Sequence, residues 1–391
     1  MRSSKIPWPR DREAILAPTS LGIQSRIRGT LLNFKPLLHT TKTISLLLRH
    51  LHIVSSIFTL HLFGAALFAT PTVSVSGENI LLDSEPVKIL GLRCSNALIS
   101  DETTNDLIDA LDAYQSYGLN LISVFMMGSR FGDVKGYLPN GEMDSVYRDR
   151  LERILKATQE RGMMTIVGCL YWSTSKAKED LTHWTQEDAE QAIANTASWL
   201  GKKGFHHVIL DPDNEGMATR AMNWRAESFI RAAKATNPDL VVANNTRQDP
   251  PNEDLNMHFG KPEPGKPWFD SEATPKNAPG NYWGAYSKEN HQSDETYYNY
   301  SRIGRYTEEM KAYQIEHTRI GMELYNGHVL ASTWIQCSPN EGIDGPFTNP
   351  GGHSMLGENA DKQADWNQDI DTIHPDAGIR WWLDYVKEHF K

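Results

Sequence analysis

HHVILDPDNEG, residues 206–216, opens on an apolar run, Val208-Ile209-Leu210, and then gives way to aspartates, Pro212, Asn214 and Gly216. A short run that is apolar throughout and then breaks into turn formers reads as a strand buried on both faces and ending in a loop. Upstream, helical spacing over 186–203 stops near Gly204. Downstream, helical spacing over 219–236 leads into a second apolar run, LVVANN (240–245). Further out, LNLISVFMM (119–127) and MMTIVGCLYW (163–172) repeat the strand pattern. Each follows a helix pattern: Asp101 to Tyr117, with Leu107, Leu111 and Tyr114 on one face and Gly118 as its stop, and Val146 to Arg161, stopped by Gly162. The first strand of the series is VKILGLR (87–93). Apolar strands alternating with amphipathic helices predict a parallel sheet covered by helices.

Beyond residue 245 the rhythm loosens. LNMHF (255–259) and PWFDSEA (267–273) read as short strands joined by Pro/Gly-rich links with little room for helices. A long helix over roughly 294–325 precedes HVLASTWIQ (328–336), and a terminal helix spans 376–390. Ahead of the series, Ser76-Gly77 and Asp83-Ser84 mark the turns of a small hairpin. Counting the runs gives eight strands. The expected fold is therefore α/β, a (β/α)8 TIM barrel with an N-terminal β-hairpin plug and shortened helices after strands five and six. No glycine-rich phosphate loop supports a dinucleotide or nucleotide fold.

The chain has 391 residues, 23% charged and 39% hydrophobic, with 11 Trp, 14 Tyr and 12 Phe, which is a globular composition. The net charge of −10 is unevenly spread: residues 1–69 carry +7, which leaves −17 for the rest. An acidic body repels phosphates, so no nucleic-acid partner is expected. Residues 51–69, LHIVSSIFTLHLFGAALFA, hold no charged side chain, follow Lys42 and Arg49, and end in small residues. That is the order of a secretory signal, with a membrane anchor through 51–69 as the second reading. Residues 1–69 are thus expected to be a leader and 70–391 the barrel domain, secreted or periplasmic. No stable membrane contact is expected once the signal is removed. Cys94, Cys169 and Cys337 are too few for a disulfide framework. A Cys94–Cys337 bridge across the first and eighth strands is the alternative to buried thiols.

In such a barrel the chemistry sits at the carboxyl ends of the strands. Those ends carry Arg93 to Asn96, Met126 to Arg130, Tyr171-Trp172, Asp211 to Glu215, Asn244 to Arg247, His258, Glu272 and Trp334. The set is rich in carboxylates, amides and aromatics and has no nucleophilic Ser or Cys in a strained turn. Two glutamates on opposed strands, ringed by aromatics, are what glycoside cleavage needs: one carboxyl protonates the leaving oxygen and the other attacks or stabilises the anomeric carbon.

The hairpin SGENILLDSEPVKILGLR, the Asn214-Glu215 pair after VILDPD, the run KPWFDSEA and Trp334 in STWIQ resemble clan A glycoside hydrolases, the cellulase- and mannanase-like barrels. The resemblance covers roughly residues 72–390. It implies Glu215 as acid/base at the end of strand four, Glu272 as nucleophile on strand seven, and Trp334 as the aromatic residue ending strand eight. Where the clan often has an Arg inside strand two, this chain has Ser123, so Arg93 or Arg130 would serve. The two glutamates are 57 positions apart, short for the clan and consistent with trimmed fifth and sixth units.

The expectation is a secreted retaining glycoside hydrolase acting on a poly- or oligosaccharide with no metal or organic cofactor. Glu215 and Glu272 are the catalytic pair, and Asn214, His258, Trp334, Trp172, Tyr171 and Arg93 are substrate-binding candidates. Each has a plainer reading. Glu215 could sit in a helix-capping loop or in a metal site with Asp211 and Asp213, as in a metal-dependent hydrolase. Glu272 could be a surface residue and His258 a satisfied core histidine. Trp172, Tyr171, Trp268 and Trp283 could be packing rather than sugar platforms. A non-catalytic carbohydrate-binding barrel is the remaining alternative.

Overall fold

The computed structural model describes residues 70–94, 97–129, 132–172, 183–271, 308–330 and 380–391. Three short antiparallel strands come first: β1 (Val73–Ser76), β2 (Asn79–Leu82) and β3 (Glu85–Pro86). The turns between them use Gly77 at φ +56° and Asp83 and Ser84 at φ +53° and +71°. Eight parallel strands follow: β4 (Ile89–Arg93), β5 (Leu121–Phe125), β8 (Met164–Leu170), β9 (Val208–Asp213), β10 (Val241–Asn244), β11 (Leu255–Met257), β12 (Trp268–Phe269) and β13 (Gly327–Leu330). A small hairpin, β6 (Met127–Ser129) with β7 (Gly132–Lys135), extends the second barrel strand and was not foreseen.

Neighbours in the ring follow chain order, β4 pairing with β13 at one side and β12 reaching β13 through an Asp270–His328 bridge. This is a (β/α)8 barrel. At the closing seam Gly327 has φ +134°, and a Cβ there would run into the Ile89 backbone. Only glycine fits.

Side-chain alternation splits the apolar residues into two cores. Ile89, Leu121, Ile166, Ile209, Val241, Met257, Phe269 and Val329 fill the barrel interior together with Ile80 from the hairpin. Leu90, Leu92, Ile122, Val124, Val167, Leu210 and Val242 face the helices. The hairpin is pinned to the base of the barrel by Val73 N donating to His206 O at 2.9 Å.

The helices are α1 (Asp101–Ser116), α2 (Ser145–Glu160), α3 (Gln186–Lys203), α4 (Met217–Met222), α5 (Ala226–Thr236), α6 (Glu308–Leu324) and α7 (Arg380–Phe390). Helix α1 starts in a capping box between Ser100 and Thr103, α3 in one between Thr185 and Asp188, and α3 stops at Gly204, φ +72°. The single helix expected over 219–236 is two, because Asn223 turns left-handed at φ +57°. Residues 245–254 and 258–267 contain no helix, so the fifth and sixth units have lost theirs entirely rather than shortened them. Of the long helix and the terminal helix, residues 294–307 and 376–379 lie outside the described residues. Trp382 is fully buried and donates from Nε1 to Thr318 Oγ1 at 2.8 Å, docking α7 on α6. Among the described residues no helix is long and apolar enough to cross a membrane, and 51–69 lie outside them.

Candidate active site

Above Ile209 and Ala243, alternation places Asp211 and Asn245 on the inner side of the barrel, and Arg93 joins them from β4. Arg93 is 1% exposed. Its guanidinium lies 4.6 Å from the Phe125 ring centre and 5.4 Å from that of Tyr171, and Nη2 donates to Asn214 Oδ1 at 3.4 Å. Asn245 Nδ2 donates to Asp211 Oδ2 at 2.9 Å and reaches the same Asn214 Oδ1 at 3.4 Å. With two donors aimed at Oδ1, the Asn214 amide has one orientation, and its Nδ2 has no partner among the described residues. Burial lifts the Asp211 carboxyl to about 7, against the hydrogen bond from Asn245 and the charge of Arg93.

Asp213 is used differently. Its two carboxylate oxygens accept from Ala218 N at 2.9 Å and Thr219 N at 2.8 Å, closing the start of α4. Burial still raises it to about 6. Between this cap and the strand, Glu215 is half-buried and held at φ +53°, followed by Gly216 at φ +63°. Two successive left-handed residues lift Glu215 out of the strand line. Glycine suits the second, since it adopts φ +63° without strain and a Cβ would sit 3.0 Å from Thr219 Oγ1 and 3.1 Å from Thr246 Cβ. A left-handed Glu costs energy and marks a position held by its surroundings. The metal reading does not fit this geometry: both Asp213 oxygens are committed to amides, and no metal-holding group of three His, Cys, Asp or Glu occurs among the described residues.

His258 ends the sixth barrel strand at φ +47°, with Nδ1 3.4 Å from Asp270 Oδ1. Asp270 also stands 3.6 Å from His328 Nδ1 on β13. Burial alone would raise the Asp270 carboxyl, but the neighbouring His258 and His328 imidazoles outweigh it and hold the carboxyl well below the usual carboxylate range. Glu272 and Trp334 lie outside the described residues, as do Trp283 and Cys337.

Tyr171 and Trp172 are 2% and 4% exposed. Tyr171 meets Phe125 edge-on at 5.5 Å, and Trp172 packs on Trp224 at 5.3 Å and on Trp184 at 6.3 Å. Their rings are occupied by packing here. Trp268 starts its strand, at the end of the barrel away from Glu215, against Tyr325 at 4.5 Å. Sequence reading missed Asn245 and Asp270 as partners of Asn214 and His258. Asn244-Asn245 at a strand end was the available signal for the first, and Asp270 beside Glu272 for the second.

Fold and rim together define an eight-stranded α/β barrel with a buried polar layer beneath an Asn-Glu pair at the end of strand four. The sequence matches no protein-family model and no curated protein. Solved structures similar to it include glycoside hydrolases. The exo-β-1,4-mannosidase Op5Man5 from Opitutaceae bacterium strain TAV5 is 14% identical over 81% of this chain, with TM-score 0.49; this chain spans 62% of that one. The catalytic domain of Thermobifida fusca endoglucanase Cel5A is 15% identical, covering 81% of this chain and 97% of its own, with TM-score 0.45. The β-glucanase SdGluc5_26A from Saccharophagus degradans, solved with cellotetraose, is 12% identical, with coverage of 70% and 90% and TM-score 0.44.

Proposed function

We propose that the chain is a secreted glycoside hydrolase that cleaves O-glycosidic bonds of a poly- or oligosaccharide by a retaining, two-carboxylate mechanism. The observation that carries this reading is the placement of Asn214 and Glu215: a buried Arg93 and Asn245 orient the amide, and a left-handed turn presents the carboxyl at the carboxyl end of strand four. In this reading Glu272, two residues past Asp270, attacks the anomeric carbon while Glu215 protonates the departing oxygen. Glu215 then takes a proton from water as the glycosyl-enzyme ester is hydrolysed. Asn214 and His258 donate to sugar hydroxyls, and Trp334 stacks on the sugar at the cleavage point. The test is release of reducing ends from a panel of glycans by the purified chain, with Glu215→Gln as control. Activity on a member of the panel that Glu215→Gln abolishes supports the reading. Binding of glycans without hydrolysis would leave a sugar-binding barrel instead.

A further inference from the structure

Two arginines crowd one aromatic ring at the rim beside Glu215. Arg220, on α4, lies with its guanidinium carbon 5.5 Å from the centre of the Phe259 ring, and Arg247, in the loop after β10, lies 4.9 Å from it. Arg220 Nε donates to Gly216 O at 3.2 Å, so this cation is anchored to the residue that follows Glu215. Phe259 follows His258 directly, and Thr246, next to Arg247, packs against Gly216. Both arginines are exposed.

Among the described residues neither guanidinium is ion-paired to a carboxylate. Asp213, whose carboxylate senses the charge of Arg220, has both oxygens bound to backbone amides. That is unusual company in a body carrying −17 outside residues 1–69. Several other arginines of this chain pair with acids: Arg150 and Arg153 with Asp101, Arg161 with Asp112, and Arg319 with Glu316. Two like charges held against one ring repel each other, and the ring faces offset only part of that. An anion between them would remove the repulsion and accept from both planar forks, which suit carboxylate and sulfate oxygens.

We propose that Arg220 and Arg247 form a subsite for an anionic sugar substituent, a uronate carboxylate or a sulfate ester, so that the substrate is an acidic rather than a neutral saccharide. Phe259 holds the two forks apart and offers an apolar edge to the sugar ring. The proposal rests on the glycoside-hydrolase reading for the meaning of "substrate" but not for the binding it describes.

The experiment uses the full chain carrying Glu215→Gln and three matched tetrasaccharides, neutral, uronate-bearing and sulfate-bearing, with affinity measured by calorimetry at low and high salt. The anionic members should bind more tightly, and the advantage should shrink with salt. Adding Arg247→Gln should cost on the order of tenfold on an anionic member, the scale of one charge-assisted hydrogen bond, and leave the neutral one unchanged. An unchanged Tm checks that the Arg247→Gln substitution leaves the fold intact. Arg220→Gln should reproduce the loss. The tighter anionic arm tells carboxylate from sulfate. Equal affinity for the neutral sugar, an unaltered preference in both arginine variants, or no binding by any of the three would overturn the proposal. Anionic sugars bound through these arginines but left uncleaved by the unsubstituted chain would keep this subsite and remove the hydrolase reading. Cleavage of neutral glycans that ignores both arginines would do the reverse.

Discussion

Asp270 and His328 close the barrel. Asp270 N donates to Gly327 O at 3.2 Å, Val329 N donates to Asp270 O at 2.7 Å, and the carboxylate stands 3.6 Å from the imidazole across the seam. The same carboxylate holds His258 at 3.4 Å. A two-residue strand is too short to hold a seam by ladder hydrogen bonds alone, so one buried carboxylate ties strands six, seven and eight together.

Asp270→Ala should therefore destabilise the fold by about 3 kcal/mol at neutral pH, because it removes the buried carboxylate that stands between two buried imidazoles. The carboxyl is held below its ordinary range, so its contribution is complete above pH ~4 and is lost as pH falls through the lowered value. Urea melts of both proteins should differ at pH 7 and converge in acid. An unchanged midpoint at pH 7 would mean that the backbone bridge alone closes the ring.

Asp211 predicts the opposite slope. Its carboxyl is raised to about 7, so the folded state holds a proton that the unfolded chain releases near pH 4. Stability should fall as pH rises from about 4 to about 7 and then level off. Asp213, raised to about 6, contributes the same sign over a narrower window. Asp211→Asn should remove the part of the slope between about 6 and 7 and retain part of the slope below it. Identical pH profiles for the variant and its parent would count against a protonated Asp211.

The two glutamates should behave asymmetrically. With a retaining pair, the carboxyl groups lie ~5–5.5 Å apart. Glu272→Gln should be almost inactive on every substrate, while Glu215→Gln should recover partly on substrates whose leaving group needs no proton, and further with azide. Full activity in both variants, or a measured separation beyond ~10 Å, would remove the assignment.

A chain beginning at Thr70 should fold as the full chain does. Among the described residues Val73, hydrogen-bonded to His206, is the first engaged in the barrel's base, and Ile80 supplies the plug. Circular dichroism and a cooperative melt are the check. Loss of folding on removing 1–69 would show that the leader belongs to the structure.

The barrel was legible because each strand–helix unit writes its own period. Val208-Ile209-Leu210 is apolar on both faces whatever lies beside it, Gly204 and Gly162 stop their helices locally, and eight strands in order, most of them followed by helices, leave few topologies. The Asn214-Glu215 pair was legible for the same reason, standing where a strand runs out. What surrounds it was not. Arg93 and Asn214 are 121 positions apart, and nothing near either residue encodes their meeting. Asp270 beside two histidines, Trp172 turned into an aromatic cluster, and Arg220 and Arg247 on Phe259 all depend on ring closure bringing non-consecutive strands and loops together. Local periodicity determines which residues face the barrel and which face the helices. Only the closed ring decides which polar groups meet at its rim, because those contacts are set by the geometry of closure and not by the pattern of any one segment.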